Sequence, residues 1–193
     1  MIRFKFDKKK GITSLLYVVR ELIAHRCDPG FHKIFKIFYF ADMKHIARYG
    51  RPIVGDHYVA MKNGPVPSHL YDILKAAKGQ EECGPTAEYQ QYFKVCGYHV
   101  SPATEPEMDE LSASEVECLD ESIRENMHKS FEQLTDESHD KAYDAADLNN
   151  RMSFRDIAKV AGASSAMIAY MAEIAENEGI LKDGAHTRGA LST

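Results

Sequence analysis

The sequence predicts a mainly α, α+β fold: a single helical domain around a buried central helix, with a small antiparallel β-sheet. Three observations lead there. The stretch FHKIFKIFYFADMKHIARY, residues 31–49, is apolar on nearly every side of a helix, the pattern of a helix central in its domain. Flanking segments repeat apolar residues at helical spacing, beginning with Ile12, Leu15, Leu16, Val19, Leu22 and Ile23. Two short runs near 57–62 and 91–100 alternate loosely and end or turn at Asn63-Gly64 and Gly97, as β-structure does.

The elements follow in order. After the first amphipathic helix, Asp28-Pro29 pairs an N-cap residue type with a proline suited to a first helical turn, and Gly50 closes the central helix. HYVAMKNG predicts a strand and a turn; GPVPSHLYDILKAAKG predicts a proline-started helix closed by Gly79. YQQYFKVCGYHVS predicts a short hairpin, and SPATEPEMDE a polar connector. Ser112 with Glu115, and Ser130 with Gln133, have capping-box spacing; Leu111 with Val116 has staple spacing. A short helix is expected in TDESHDKAYDAADL, then two helices separated by Gly162. Residues 1–182 are expected to form the domain and 183–193 a flexible tail.

Composition narrows the function classes. With 44% apolar and 27% charged residues, the 193-residue chain has enough apolar content for a core. MIRFKFDKKK is basic but leads into no signal-peptide pattern, and IFKIFYFADM is too short to span a bilayer. Cys27, Cys83, Cys96 and Cys118 form no CxxC pair, which argues against a thiolate zinc site and fits a reducing cytoplasm. Charge is uneven: residues 1–62 carry 13 Lys/Arg against 5 Asp/Glu, whereas 81–150 carry 4 against 18. This predicts either solvated helix faces or a bipolar surface whose acidic side steers a basic partner.

Chemistry-bearing residues cluster around the stretch 48–79: Asp42, His45, Asp56, His57, His69 and Asp72. Asp42 and His45 share a helix face at i, i+3, which raises a metal-dependent hydrolase as one alternative, although no HExxH or HxxEH spacing is present. No GxSxG, GxGxxG or P-loop occurs. FRDIAKVAGASSAMIAYM follows a helix-turn-helix pattern and raises a DNA-binding regulator acting through residues 153–178. Its second helix, however, has no Lys or Arg from Ser164 to Glu178 and carries Glu173, Glu176 and Glu178, which argues against reading DNA directly. Phe31, Phe35, Phe38, Tyr39 and Phe40 are expected in the core.

The stretch FYFADMKHIARYGRPIVGDHYVAMKNGPVPSHLYDIL resembles the Panacea domain, the family of SocA-like antitoxins. The resemblance rests on Tyr39 to Asp42, His45, Tyr49-Gly50-Arg51-Pro52-Ile53, Gly55, Asp56, Tyr58, Gly64-Pro65-Val66-Pro67, Leu70 and Tyr71, with support from LSASEVECLD, LTDESHD and DLNNRMSFRDIAKVAG. It covers about residues 10–165 and implies a non-enzymatic, cofactor-free antitoxin of a type II toxin–antitoxin pair. Its implied partner is a cognate protein toxin, silenced by direct contact or, alternatively, delivered to a ClpXP-type protease. Asp42, His45, Tyr49, Gly50, Asp56, Tyr58, Gly64, Pro65, Pro67 and Tyr71 are the family-motif positions, as scaffold or as partner-binding surface. Gly50, Gly55 and Gly64 suit positive φ and the prolines stiffen the chain between them, which favours the scaffold. Tyr89, Tyr92 and Tyr98 are candidate interface anchors.

Overall fold

A computed structural model describes residues 2–79 and 86–187. At its centre lies α2 (Phe31–Tyr49), which follows α1 (Lys8–Ala24). Two hydrophobic clusters explain its all-round apolar character. Ile34, Phe35, Ile37, Phe38 and Ala41 join the α1 face, Leu15, Leu16, Val19 and Leu22, in the larger cluster. Tyr39 and Ile46 point the other way, into a smaller cluster with Tyr58, Met152, Phe154, Ile157 and Met171. The helix is thus apolar on opposite sides because it has a core on each.

α1 starts at Asp7, whose carboxylate accepts the Lys10 N–H. α2 starts two residues later than Asp28-Pro29 suggests, with Gly30 as its N-cap. The reason is tertiary. The Pro29 carbonyl accepts the Val100 N–H at 3.1 Å, and the Phe31 N–H donates to the Tyr98 carbonyl at 2.9 Å. A passing strand therefore claims the backbone that would have been the first turn.

The β-structure is antiparallel, as expected, but divided into two separate ribbons. β1 (Tyr58–Met61) pairs with β2 (Gly64–Pro67), Tyr58 opposite Pro67 and Met61 opposite Gly64. β3 (Phe93–Cys96) pairs with β4 (His99–Pro102) across a turn in which Gly97 has φ 60°. Gly64–Pro67 was expected to open a helix; it is a strand, and α3 (Ser68–Lys78) begins only after it, with Pro67 as N-cap. The two-residue turn at Lys62-Asn63 drives the chain straight back along β1, and a two-stranded ribbon tolerates proline. The outer edge of β1 is covered: Ala60 N–H donates to Asn150 and Met152 N–H to the Tyr58 carbonyl.

Past α4 (Thr86–Gln90) and the second ribbon, α5 (Ala113–Asn126) and α6 (Phe131–Ser138) open with the expected capping boxes. The Glu115 carboxylate accepts the Ser112 N–H at 2.9 Å, and the Gln133 side chain accepts the Ser130 N–H at 2.8 Å. Asp140 caps α7 (Lys141–Asp144) by accepting the Ala142 and Tyr143 N–H groups. α8 (Phe154–Val160) and α9 (Ser165–Thr187) are joined through Gly162 at φ 81°. α9 runs to Thr187, so the first residues of the segment expected to be a flexible tail are helical; 188–193 lie outside the described residues. No described helix is long and apolar enough to cross a membrane.

Candidate functional site

The motif stretch leaves α2 at Gly50, left-handed at φ 70°, whose N–H bonds the Ile46 carbonyl. From there the chain is fastened by buried side chains. Asp42 accepts the Ile53 N–H at 2.7 Å with one oxygen and the Tyr58 hydroxyl at 2.8 Å with the other. Burial pushes its pKa up to about 7, against the pull of those two hydrogen bonds, and the charges of Asp56 and Glu115 add to the rise. His45 donates from Nδ1 to the Arg51 carbonyl at 2.7 Å, which leaves Nε2 to accept from Ser114 at 3.3 Å. Burial lowers its pKa. The Tyr49 ring leans on His45 at 4.8 Å and stays partly in solvent.

Asp56 is the hub of the second half. One carboxylate oxygen accepts the His57 and His69 N–H groups, and the other accepts Leu70 N–H, so it caps α3 from outside the helix. Gly64, at φ 95°, lies against Ser138 and the Lys36 amine. The Pro65 carbonyl accepts from Lys36 Nζ at 2.9 Å, and Pro67 is buried where β2 turns into α3. Tyr71 packs edge-on against Phe31 and Phe35, with Lys75 Nζ over its ring at 5.1 Å.

This geometry separates residues that the sequence groups. Asp42 and His45 do share a face of α2, but they bond different backbone and hydroxyl partners, and neither belongs to the metal-type group that converges among the described residues. Among the described residues, the metal-type side chains that do converge are Asp56, His57 and His69, with one ligand atom of each within 4.8 Å of the others. Burial, then the charges of Arg151, His69 and Arg3, lower the His57 pKa to about 4.

Sequence reasoning missed two participants. Glu115, visible only as a capping residue, is also a buried ion-pair centre holding Lys10 Nζ at 2.8 Å and Arg51 at 2.7 Å. Lys36 is fully buried beneath the β1–β2 ribbon. A lysine set between Phe35 and Ile37, in the most apolar part of α2, was the available signal.

Asp42→Ala is expected to lower stability by about 3 kcal/mol, because it strands the buried Ile53 N–H and Tyr58 hydroxyl. Asp42→Asn keeps an acceptor and tests the charge instead. The folded pKa of about 7 exceeds the reference 3.8, so the folded state holds the proton longer and Asp42 makes stability fall as pH rises from about 4 to about 7. Urea titrations across that window should show Asp42→Asn gaining on the parent chain; parallel curves would contradict the buried-carboxyl assignment.

A family model described as antitoxin SocA-like, Panacea domain, matches residues 34–143. The chain belongs to this family. No curated protein and no solved structure gives a match. The Panacea match begins inside α2 and ends in α7, so it contains all ten motif positions and leaves α1, α8 and α9 outside it.

The surface of this Panacea protein uses its uneven charge internally. Lys8 pairs with Glu88, Lys9 with Glu107 and Glu110, Arg20 with Glu105, Lys44 with Glu121 and Glu125, and Arg48 with Glu121. The basic N-terminal helices are laced to the acidic later segment, which reduces the bipolar surface the composition suggests. The exposed pairs among these each contribute little to stability. Of the candidate anchors, Tyr89 and Tyr92 pack against the core, whereas Tyr98 is 63% exposed. Tyr170, on α9, is 52% exposed beside Gly50, and Tyr49 is 38% exposed.

Proposed function

We propose that this protein is the antitoxin of a type II toxin–antitoxin pair, acting in the cytoplasm by binding a protein toxin encoded beside it. The family match over residues 34–143 carries the reading. The motif supports a scaffold role, since Asp42, His45 and Asp56 direct their polar atoms to the chain itself. Its best-placed contact surface is the junction of α2 and α9. There Met167 and Tyr170 meet Gly50, next to Tyr49, and give partly exposed aromatic rings in one place. Interfaces draw most of their affinity from such anchors, whereas charge mainly sets the encounter rate.

The α8–α9 pair is better suited to this contact than to DNA. The exposed positions of α9 from Ser165 to Asn177 are Ser165, Ala166, Ala169, Tyr170, Glu173, Glu176 and Asn177, which offer no cation to phosphate; α8 exposes Arg155 and Lys159, the latter paired with Asp156.

Co-expression tests the proposal. The neighbouring open reading frame should arrest growth when induced alone, and this chain should restore growth and co-purify with its product. A harmless neighbour, or one that stays toxic and unbound, contradicts the antitoxin reading. Rescue that requires a ClpXP-type protease assigns the adaptor mechanism instead of direct blocking. Tyr170→Ala should weaken the complex by about 2 kcal/mol, roughly thirtyfold in Kd, if that ring is an anchor. An unchanged Kd in a titration moves the interface elsewhere.

A further inference from the structure

The capping bonds of Asp56 have gathered a set of metal-binding donors. Its Oδ1 accepts two N–H groups, His57 at 2.7 Å and His69 at 3.0 Å, while Oδ2 accepts only Leu70 N–H at 2.9 Å. A carboxylate oxygen has two lone pairs, so Oδ2 keeps one, while Oδ1 is the oxygen beside the His57 ring, 3.7 Å from its Nδ1. The same bonds pin the backbones of His57 and His69 to one carboxylate, and the two rings meet edge to face at 5.2 Å. We propose that Asp56, His57 and His69 form a binding site for a first-row divalent transition-metal ion of the zinc type, held by two imidazole nitrogens and one carboxylate oxygen, with the remaining positions open to water or to a partner's side chain.

The donor set selects the ion class. Two imidazoles with one carboxylate suit zinc, cobalt, nickel or iron, whereas magnesium and calcium favour all-oxygen sites. The burial is graded in the order an ion would need. Asp56 is a fully buried floor, His57 is 24% exposed, and His69 is an exposed rim. In a tetrahedral zinc site with bonds of about 2.1 Å, ligand atoms lie about 3.4 Å apart. Closing the present spread of 4.8 Å takes a rotation of the outermost ring, His69, across the Phe6 ring on which it stacks at 4.7 Å. His57 and His69 stand at the two feet of the β1–β2 ribbon, where the Ser68 N–H already bonds the His57 carbonyl. A bound ion would therefore staple the ribbon's base to the start of α3. Arg151, opposite Val59 on the edge of β1, and Arg3 oppose the ion electrostatically. Their charge weakens the affinity relative to an isolated triad and favours an anionic fourth ligand.

The proposal stands apart from the antitoxin reading, and its test needs no toxin. The full chain, without a polyhistidine tag, is titrated with Co²⁺ near neutral pH while visible ligand-field bands are followed, then with Zn²⁺ in competition and with Mg²⁺. One Co²⁺ per chain is expected, displaced by Zn²⁺ and not by Mg²⁺. His69→Gln and His57→Gln should each weaken binding by roughly tenfold or more. His99→Gln, which alters an exposed imidazole bonded to Asp28, should not. Binding by the parent chain no tighter than by His69→Gln, or binding lost in His99→Gln instead, overturns the proposal. His69 is exposed, so that variant stays folded even where His57→Gln fails, and far-UV circular dichroism confirms it.

Discussion

Gly55→Ala is expected to lower stability by roughly 4–5 kcal/mol, enough to unfold much of the chain at growth temperature. The backbone at Gly55 has φ 72°, and a Cβ built there would overlap the Lys5 carbonyl, lying 2.7 Å from its carbon. Both obstacles are backbone, so no side-chain rotation relieves them. The N-terminal segment before α1 would have to move away, which breaks the 2.9 Å bond from Asp7 N–H to the Val54 carbonyl. It would also unseat Phe4, which meets Phe154 edge-on, and Phe6, which lies over Gly11 and His69. Gly97→Ala provides the control. Its φ of 60° carries the same left-handed strain but nothing lies within 4 Å, so only about 1 kcal/mol is expected. Urea denaturation of the two variants separates the two contributions. Equal losses would mean that the approach of Lys5 contributes nothing.

Gly55 marks the boundary of what the sequence shows. That Gly50, Gly55 and Gly64 take positive φ is a local property, and all three do. That Gly55 must also be small depends on Lys5, fifty residues away, and no local pattern records it. The same division runs through the fold. Capping boxes at Ser112 and Ser130 involve residues three apart and were legible. The strand at Gly64–Pro67 was not, because its prolines suit a helix start equally well, and the cap that fixes the real start comes from Asp56, twelve residues before Ser68. Asp42 and His45 could be placed on one face of α2, since spacing dictates it. Their partners, Ile53, Tyr58, Arg51 and Ser114, arise from loop closure and tertiary packing. Charge asymmetry was visible as composition, but its use in pairs such as Lys10 with Glu115 was not. Family membership was legible because the Panacea motif is a contiguous run of fixed glycines, prolines and aromatics.

Lys36→Met is expected to stabilise the protein by about 2–3 kcal/mol at pH 6 and to lose that advantage as pH approaches 10. Lys36 is 1% exposed, and its ammonium donates to the Pro65 carbonyl at 2.9 Å rather than to a carboxylate. Burial pulls its pKa from 10.5 down to about 7. The unfolded chain therefore holds a proton that the folded chain releases between about pH 7 and pH 10.5, and in that window stability rises with pH. A tenfold change in proton affinity corresponds to about 1.4 kcal/mol, so below pH 7 the buried charge costs on the order of 4–5 kcal/mol. Methionine has similar reach, no charge and an adaptable thioether. It avoids the whole cost but gives up the bond to Pro65, which offsets about 1–3 kcal/mol. Lys36→Arg should behave oppositely, because a guanidinium stays charged at every accessible pH. A Met variant no more stable at pH 6, or a difference independent of pH, would contradict the assignment of an unpaired buried amine. The amine also ties α2 to β2, the strand that carries Pro65 and Pro67. In the co-expression assay, a Lys36→Met chain that is more stable yet no longer protects would show that this bond positions the ribbon for the partner, at the expense of stability.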